Sequence, residues 1–321
     1  MTFPLILSSA LLLDALLGDP RGLPHPVVGV GRLVTFFEAR LYPGSDSNGR
    51  RRGLCLCGAV LASTAAAVGL ILWAASANRW LWGAAQIWLL YSALAWRSLK
   101  DETLPVARAL FEGDLPVARA ALSRVVGRDT EDLDGASIVR AAVETVAENS
   151  VDGVFSPMFY AALGYALGGG TGMALCVWLF KAASTLDSMV GYDNERYHDF
   201  GRACARLDDA LNFIPARLGG LVVVAAGRCL GYPLLRGLRV LLRDRKKHRS
   251  PNSAHGESAF AGVLGVRLGG GASYGGVVKP RPWLGEGLAD PAPADLLRAH
   301  QLLDASTALL ALLIAAAFTL S

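Results

Sequence analysis

The densest run of reactive side chains lies between residues 181 and 217: Lys181, Asp187, Tyr192, Asn194, Glu195, Arg196 and Tyr197, then Arg206, Asp208, Asp209, Asn212 and Arg217. Carboxylates hold Mg²⁺ while Lys and Arg neutralise phosphoryl oxygens, the combination that nucleotide-driven chemistry needs. An ion-pair network bracing helices is the plainer account of the same residues. A second cluster runs from Arg128-Asp129 to Asp152. If its later part is helical, Arg140, Glu144 and Glu148 recur at i, i+4 and i+8 and share a face, with Asn149 and Asp152 following. A solvated salt-bridge ladder is the bland alternative, but this face runs straight into an apolar segment, where mere solvation is less expected. The third cluster is Gly18-Asp19-Pro20 with His25-Pro26, a turn stiffened by Pro20, Pro24 and Pro26. His25, taken alone, reads as a hydrogen-bonding structural residue. The fourth runs from Ser250-Pro251-Asn252 through His255 and Glu257 to Gly269-Gly270-Gly271, small and polar residues whose backbone N–H groups suit a phosphate. No Walker A sequence, kinase-type Gly-rich loop, HExxH, GxSxG or zinc-finger spacing occurs, so a nucleotide site here must be of another kind.

The elements that must position these groups are mostly apolar. Residues 53–78 carry no charge, long enough for a helix across about 30 Å of hydrocarbon. Residues 80–96 form a second uncharged run bracketed by Trp, and only Asn78 and Arg79 separate the two, so a tight helical hairpin is expected. Arg50-Arg51-Arg52 before it and Arg97 and Lys100 after it put both open ends in the cytoplasm by the positive-inside rule. Residues 97–152 are a polar insertion in which Leu-Pro-Val-Ala-Arg-Ala occurs at 104–109 and again at 115–120. Each Pro suits a first helical turn, which predicts two short helices around Glu112-Gly113-Asp114. Residues 153–180 are uncharged, with three glycines at 168–170; they make one long span or a hairpin turning at the glycines. The hairpin is expected, because the polar motifs on either side look like parts of one site. Residues 4–17 read as a retained membrane segment, residues 218–227 are too short to span alone, and 305–320 form a marginal last span.

Bulk composition agrees. Of 321 residues 53% are hydrophobic and only 18% charged, the net charge is +4, and the mean hydropathy is +0.38. These values exclude disorder, a small disulfide scaffold and an extended nucleic-acid-binding arm, and they disfavour an ordinary soluble enzyme. The five cysteines form no CxxC pair and read as small buried hydrophobes. From Arg228 to Arg249 eight Lys/Arg stand against one acid, Asp244, which reads as a cytoplasmic membrane-surface segment. The expectation is a single all-α polytopic membrane domain over 1–321, with insertions 97–152, 181–217 and 228–304 facing the cytoplasm. Ionisable groups beside membrane segments are expensive and default to functional candidates.

Taken together and in this order, the clusters resemble the adenosylcobinamide-phosphate synthase (CobD/CbiB) family of cobalamin biosynthesis. The matching pieces are Gly18-Asp19-Pro20 and His25-Pro26; Arg140, Glu144, Ala147-Glu148-Asn149 and Asp152-Gly153; Lys181-Ala, then Thr185-Leu-Asp187-Ser-Met-Val-Gly-Tyr192; Ala205-Arg206, Asp208-Asp209, Asn212 and Pro215-Ala-Arg217; and Ser250-Pro-Asn252, Glu257, Ala261-Gly, Leu264-Gly-Val and Leu268-Gly-Gly. Ser184, Asp193 and Ala254 depart from the pattern. The resemblance implies a multi-pass inner-membrane enzyme with its active site towards the cytoplasm. It would use ATP and Mg²⁺ to join a carboxyl of adenosylcobyric acid to the amine of (R)-1-aminopropan-2-ol or its O-phosphate, near other late-pathway enzymes and without nucleic acid.

A carboxylate is a poor acyl donor, so ATP would convert it to an acyl phosphate that the amine attacks. On this scheme Asp187, Glu195 and Asp208 take the metal or nucleotide role, and Lys181 and Arg196 meet phosphoryl oxygens. Glu144 or Glu148 serves as general base or amine anchor, while Asn149 and Asp152 orient substrate. Asp19, His25, Arg128, Asp129, Arg140, Tyr192, Asn194, Arg206, Asn212, Arg217, Ser250, Asn252 and Glu257 complete the expected binding set. The competing class is a membrane corrinoid or metal-ion transporter, disfavoured by long loop-like polar blocks and the lack of a clear helix repeat.

Overall fold

The computed structural model describes residues 1–20, 22, 25–42, 44 and 48–320, so Pro24 of the expected turn lies outside the described residues. In chain order the helices are α1 (Phe3–Leu17), α2 (Pro26–Leu41), α3 (Gly49–Ala75), α4 (Arg79–Tyr91), α5 (Trp96–Phe111), α6 (Leu115–Leu122), α7 (Gly135–Ser150), a π turn (Val151–Phe155), α8 (Ser156–Val190), α9 (Arg202–Cys229), α10 (Leu234–Asp244) and α11 (Ser253–Leu264). Strands β1 (Leu268–Gly269), β2 (Ala272–Tyr274), β3 (Val277–Lys279) and β4 (Trp283–Leu284) follow, then α12 (Pro293–Thr319). The protein is thus predominantly α-helical, as its apolar runs require. Among the described residues four helical stretches are long and apolar enough to cross a membrane: Gly49–Ala75, Gly135–Val190, Arg202–Cys229 and Pro293–Thr319. The chain divides into two compact units, one of residues 1–95, 156–212 and 314–321, the other of residues 96–155 and 213–313.

In the first unit α3 and α4 form the expected tight hairpin. Asn78 caps α4, its Oδ1 accepting from the N–H groups of Trp80 (2.8 Å) and Leu81 (3.4 Å). The second arm is shorter than the uncharged run suggested. At 13 residues, α4 reaches about 20 Å and ends at Tyr91, where Ser92 N–H bonds back to Trp88 and the helix does not resume until Trp96. Absence of charge sets an upper bound on a span, not its length.

The long apolar run of α8 reverses at Gly168 (φ −155°) and Gly169 (φ 59°, ψ −150°), a backbone pair suited to glycine. In an unbroken helix Gly164 and Gly172 would stand about 12 Å apart. Here they meet closely enough that a Cβ on Gly164 would strike the Gly172 carbonyl. The run is therefore a hairpin whose arms touch through glycine.

In the second unit α5 and α6 fold against α7. Their turn is at Glu112–Asp114, with Gly113 at φ 76° and Asp114 capping α6 through Val117 N–H. Pro116 lies in the first turn of α6 as expected, but Pro105 lies inside α5. Burial of Thr103, Val106, Ala107 and Ala109 along one side of α5 carries the helix through the missing N–H. Helix α11 packs on α7 and α10 through glycines: Gly256 against the Ala147 carbonyl, and Gly262 against Gly237. The Gly-rich segment after α11 forms two small antiparallel sheets, Leu268 opposite Leu284 in one and Ser273 opposite Val278 in the other.

The glycine contact in α8 is testable. Gly164→Val should lower the thermal unfolding temperature of detergent-solubilised protein, by about 2 kcal/mol or more in stability, because backbone must move to admit it. Gly69→Ala, where an added Cβ meets nothing within 4 Å, should leave it unchanged or slightly raised.

Candidate functional site

The expected site residues divide between the two units. In the second unit Glu144, Glu148 and Glu257 surround Arg281, a residue that sequence reasoning passed over. Asp134 caps α7 through Ser137 N–H (2.8 Å), and the helix then presents Arg140, Glu144 and Glu148 in sequence. They do not form a ladder with one another, because each engages a different segment. Glu144 is buried and accepts from Arg128 Nη2 (2.6 Å) and from Gly269 N–H (2.6 Å), with Arg281 Nη1 at 3.6 Å. Glu148 accepts from Ser253 Oγ at 3.1 Å. Arg140 donates to Asp290 (2.7 Å), which also takes a two-pronged bond from Arg267, and both guanidiniums lie over Trp283.

Glu257, on α11, is fully buried with Arg281 Nη2 at 3.5 Å. Burial pushes its carboxyl well above the ordinary range; Glu148 and Glu144 add to the effect, while Arg281 and Arg128 oppose it. The proton-bearing form is favoured. His248 is shifted the other way, lowered first by burial and then by Arg281. Its Nδ1 accepts from Ser250 N–H, which leaves the ring proton on Nε2.

Of these groups, Arg128, Glu148, His248 and Arg281 border a cavity of about 810 Å³. Six cations line it, Arg128, Lys246, Lys247, Arg249, Lys279 and Arg281, against one carboxylate, Glu148, with Asn149, His248 and Tyr274 among the other polar groups. Part of the basic run borders this cavity. Lys246, Lys247 and Arg249 turn to the cavity, whereas Arg236 donates to the carbonyls of Gly262 and Val263 at the end of α11. A cavity with this lining attracts anions and sets a carboxylate beside them.

Other expected ligands are engaged by bonds within the protein. Asp129 accepts from Ser273 Oγ (2.6 Å) and the N–H groups of Gly275 (3.0 Å) and Gly276 (2.8 Å), so it anchors the β2–β3 turn, and those bonds hold its carboxyl below the usual range. Three of the backbone N–H groups expected to suit a phosphate are already used. Ser250 N–H bonds His248, Asn252 N–H bonds Ser250 Oγ, and Gly269 N–H bonds Glu144. Arg217 reaches Asn252 at 3.2 Å, joining α9 to the same turn.

In the first unit Asp208 stands within electrostatic reach of Asp187 and Lys181, and Asn212 Nδ2 donates to its Oδ2 (3.0 Å). The other oxygen, Oδ1, is buried without a hydrogen-bond partner. The expected Asp187–Glu195–Asp208 metal trio is not assembled: among the described residues no three His, Cys, Asp or Glu side chains gather as ligands. Helix α8 stops at Val190, and Glu195 lines another cavity, of about 690 Å³, with Tyr42, Asn194 and Arg196. Arg196 is itself held by Glu38 (2.8 Å), which also accepts from Tyr197, so it braces that loop. Asn194 caps the turn at Tyr197 N–H, Tyr192 is exposed, and Arg206 is exposed on α9. His25 caps α2 by accepting from Val27 N–H at 3.3 Å, with Asp19 3.2 Å from its Nε2, in line with the structural reading. Asp152 falls in the π turn beyond Glu148.

Fold and site define a polytopic helical membrane protein with a buried carboxylate–guanidinium cluster beside a cationic cavity. The family model for CobD/CbiB proteins matches residues 7–303, and the chain belongs to that family. It is 49% identical over 286 residues to cobalamin biosynthesis protein CobD of Pelobacter propionicus, covering 89% of this chain and 86% of that one. It is 42% identical over 319 residues to cobalamin biosynthesis protein CbiB of Salmonella typhimurium, covering 97% of each. No solved structure matches the chain.

The cavity wall depends on Asp244, which is buried and accepts from Arg243, Lys247 and the Gly285 N–H. Burial pushes its carboxyl up, but those three donors outweigh it and hold it at about 2. A depressed carboxylate stabilises the fold fully above its ordinary value of 3.8, and the contribution is lost as pH falls through about 2. Asp244→Asn should therefore cost about 2 kcal/mol at neutral pH, with the gap from the parent narrowing in acid, read as melting temperature against pH.

Proposed function

We propose that this protein acts in cobalamin biosynthesis as a membrane-bound biosynthetic enzyme, an ATP-dependent acid–amine ligase. The observation that carries the reading is family membership over residues 7–303, with relatives named as cobalamin biosynthesis proteins at 41–49% identity. The substrates proposed are adenosylcobyric acid, MgATP and (R)-1-aminopropan-2-ol or its O-phosphate. ATP requires a cytoplasmic site, which accords with the basic segments near residues 50–52 and 228–249 under the positive-inside rule.

The chemistry asks for three things of the protein. It must hold phosphoryl oxygens, neutralise charge as the carboxylate oxygen is phosphorylated, and take a proton from the attacking ammonium. The cations around the second unit's cavity suit the first two tasks. Glu148 suits the third, because its carboxylate borders the cavity, while Glu144 is engaged by Arg128 and Gly269 and reads as a positioning residue. Mg²⁺ enters this reading as the counter-ion of the nucleotide, needing one or two carboxylates besides phosphates.

The test is mass spectrometry of detergent-purified protein incubated with adenosylcobyric acid, MgATP and either amine. An amide product formed only with ATP is expected, and the preferred amine names the substrate. Glu148→Gln should lower turnover about 100-fold or more, as loss of a general base does. Corrinoid moved across vesicles without ATP-dependent product would replace this reading with transport.

A further inference from the structure

We infer that the second unit's cavity is a site for the phosphoryl groups of an oligophosphate or phosphate-bearing substrate, with Arg281 as its central contact and Glu257 as the residue that positions it. This deepens the ligase reading and rests on it only for the identity of the ligand.

Three observations point to phosphate. First, six cations face one carboxylate around about 810 Å³, a space far larger than a simple ion and of the size that small-molecule sites occupy. Second, three of these cations, Lys246, Lys279 and Arg281, are incompletely neutralised. Arg128 has Glu144 at 2.6 Å and Lys247 has Asp244 at 2.8 Å, but Lys246 and Lys279 make no ion pair among the described residues. Arg281 has its carboxylates only at 3.5 and 3.6 Å, beyond the distance of tight charge-assisted bonds. Its guanidinium is oriented by Glu257 and Glu144 yet retains N–H donors for a ligand, in a fork that matches phosphoryl oxygens. Third, the segment is built to hold that geometry. Pro280 and Pro282 fix the backbone on both sides of Arg281, and the following residue, Trp283, is clasped by Arg140 and Arg267. Neutral His248, with its proton on Nε2, adds a donor without the desolvation cost of another buried charge.

The phosphate has two available sources, the nucleotide and a phosphorylated amine. Titration calorimetry on the detergent-solubilised full chain, without turnover, distinguishes them. Sodium tripolyphosphate is the probe, with ATP and aminopropanol O-phosphate as competitors. Tripolyphosphate should bind the parent protein, more weakly as salt rises. Arg281→Lys should weaken binding about 10-fold, because an ammonium cannot reproduce the planar fork. Lys246→Ala with Lys279→Ala should weaken it by a similar factor without shifting the melting temperature, since both side chains are exposed. The double variant keeps the test decisive if substitution of the partly buried arginine harms folding. Displacement by ATP alone assigns the nucleotide, and displacement by the phosphorylated amine alone assigns that substrate.

Failure of tripolyphosphate to bind at low salt, or equal affinity in all three proteins, would overturn the proposal. So would displacement by a plain dicarboxylate as readily as by either phosphate compound, which would make the cavity a carboxylate site. Binding without amide formation would leave this site standing and remove the ligase reading, whereas amide formation with no such binding would do the reverse.

Discussion

The carboxylate of Glu144 is the constraint from which the second unit's site follows. It is 2% exposed, and a buried charge without partners costs several kcal/mol. Its partners come from three separate stretches of chain: Arg128 before α7, the Gly269 N–H in β1, and Arg281 between the two small sheets. Satisfying one acid therefore fixes where three loops run. The backbone has to comply, and Gly269 does so at φ 85°, with the Pro282 carbonyl so close that a Cβ would collide with it. A glycine there serves the approach of two backbones, where sequence inspection had suggested room for a phosphate.

Around that acid, charges sort by depth. Glu144 and Glu257 lie inside, at 2% and 1% exposure, while Lys246, Arg249 and Lys279 stand outermost. The outer shell is pinned from the back. Asp244 ties the end of α10 to Gly285, Asp290 ties Arg140 to Arg267, and Asp129 ties the β2–β3 turn to the loop before α7. Three acids are thereby spent on holding walls, and none of them lines the cavity.

Much of the helical plan was legible because it rests on local rules. Asn78, Asp114 and Asp134 cap helices where their side chains can reach the first free N–H groups, and the glycines at 168–169 turn the chain where no other residue fits as easily. The face shared by Arg140, Glu144 and Glu148 follows from helical period alone. What period cannot give is the partner. Arg281 was missed because its carboxylates are 24 and 137 residues away in sequence, so no local spacing signals it. Its one sequence trace is a cation fixed between two prolines in an otherwise Gly-rich stretch. For the related reason that composition reports charge without direction, the run from Arg228 to Arg249 gave no sign that part of it lines a cavity. Pro105 and α4 show packing and capping overriding patterns that favoured a helix start and a full span.

The π turn after α7 bears on how Glu148 comes to border the cavity. A π turn inserts extra length into a helix and shifts the register of everything beyond it. Before it, Asn149 Nδ2 donates to the Thr145 carbonyl and Ser150 Oγ to that of Ala147. Glu148 is thus in the last regular turn, held by Ser253 on one oxygen. Glu257, nearby in charge terms, is wholly enclosed and favours its proton. Two guanidiniums, Arg128 and Arg281, balance two carboxylates, and a third ionised acid at that depth would be in excess. A protonated Glu257 can still orient Arg281 through a hydrogen bond without adding a third negative charge beside it.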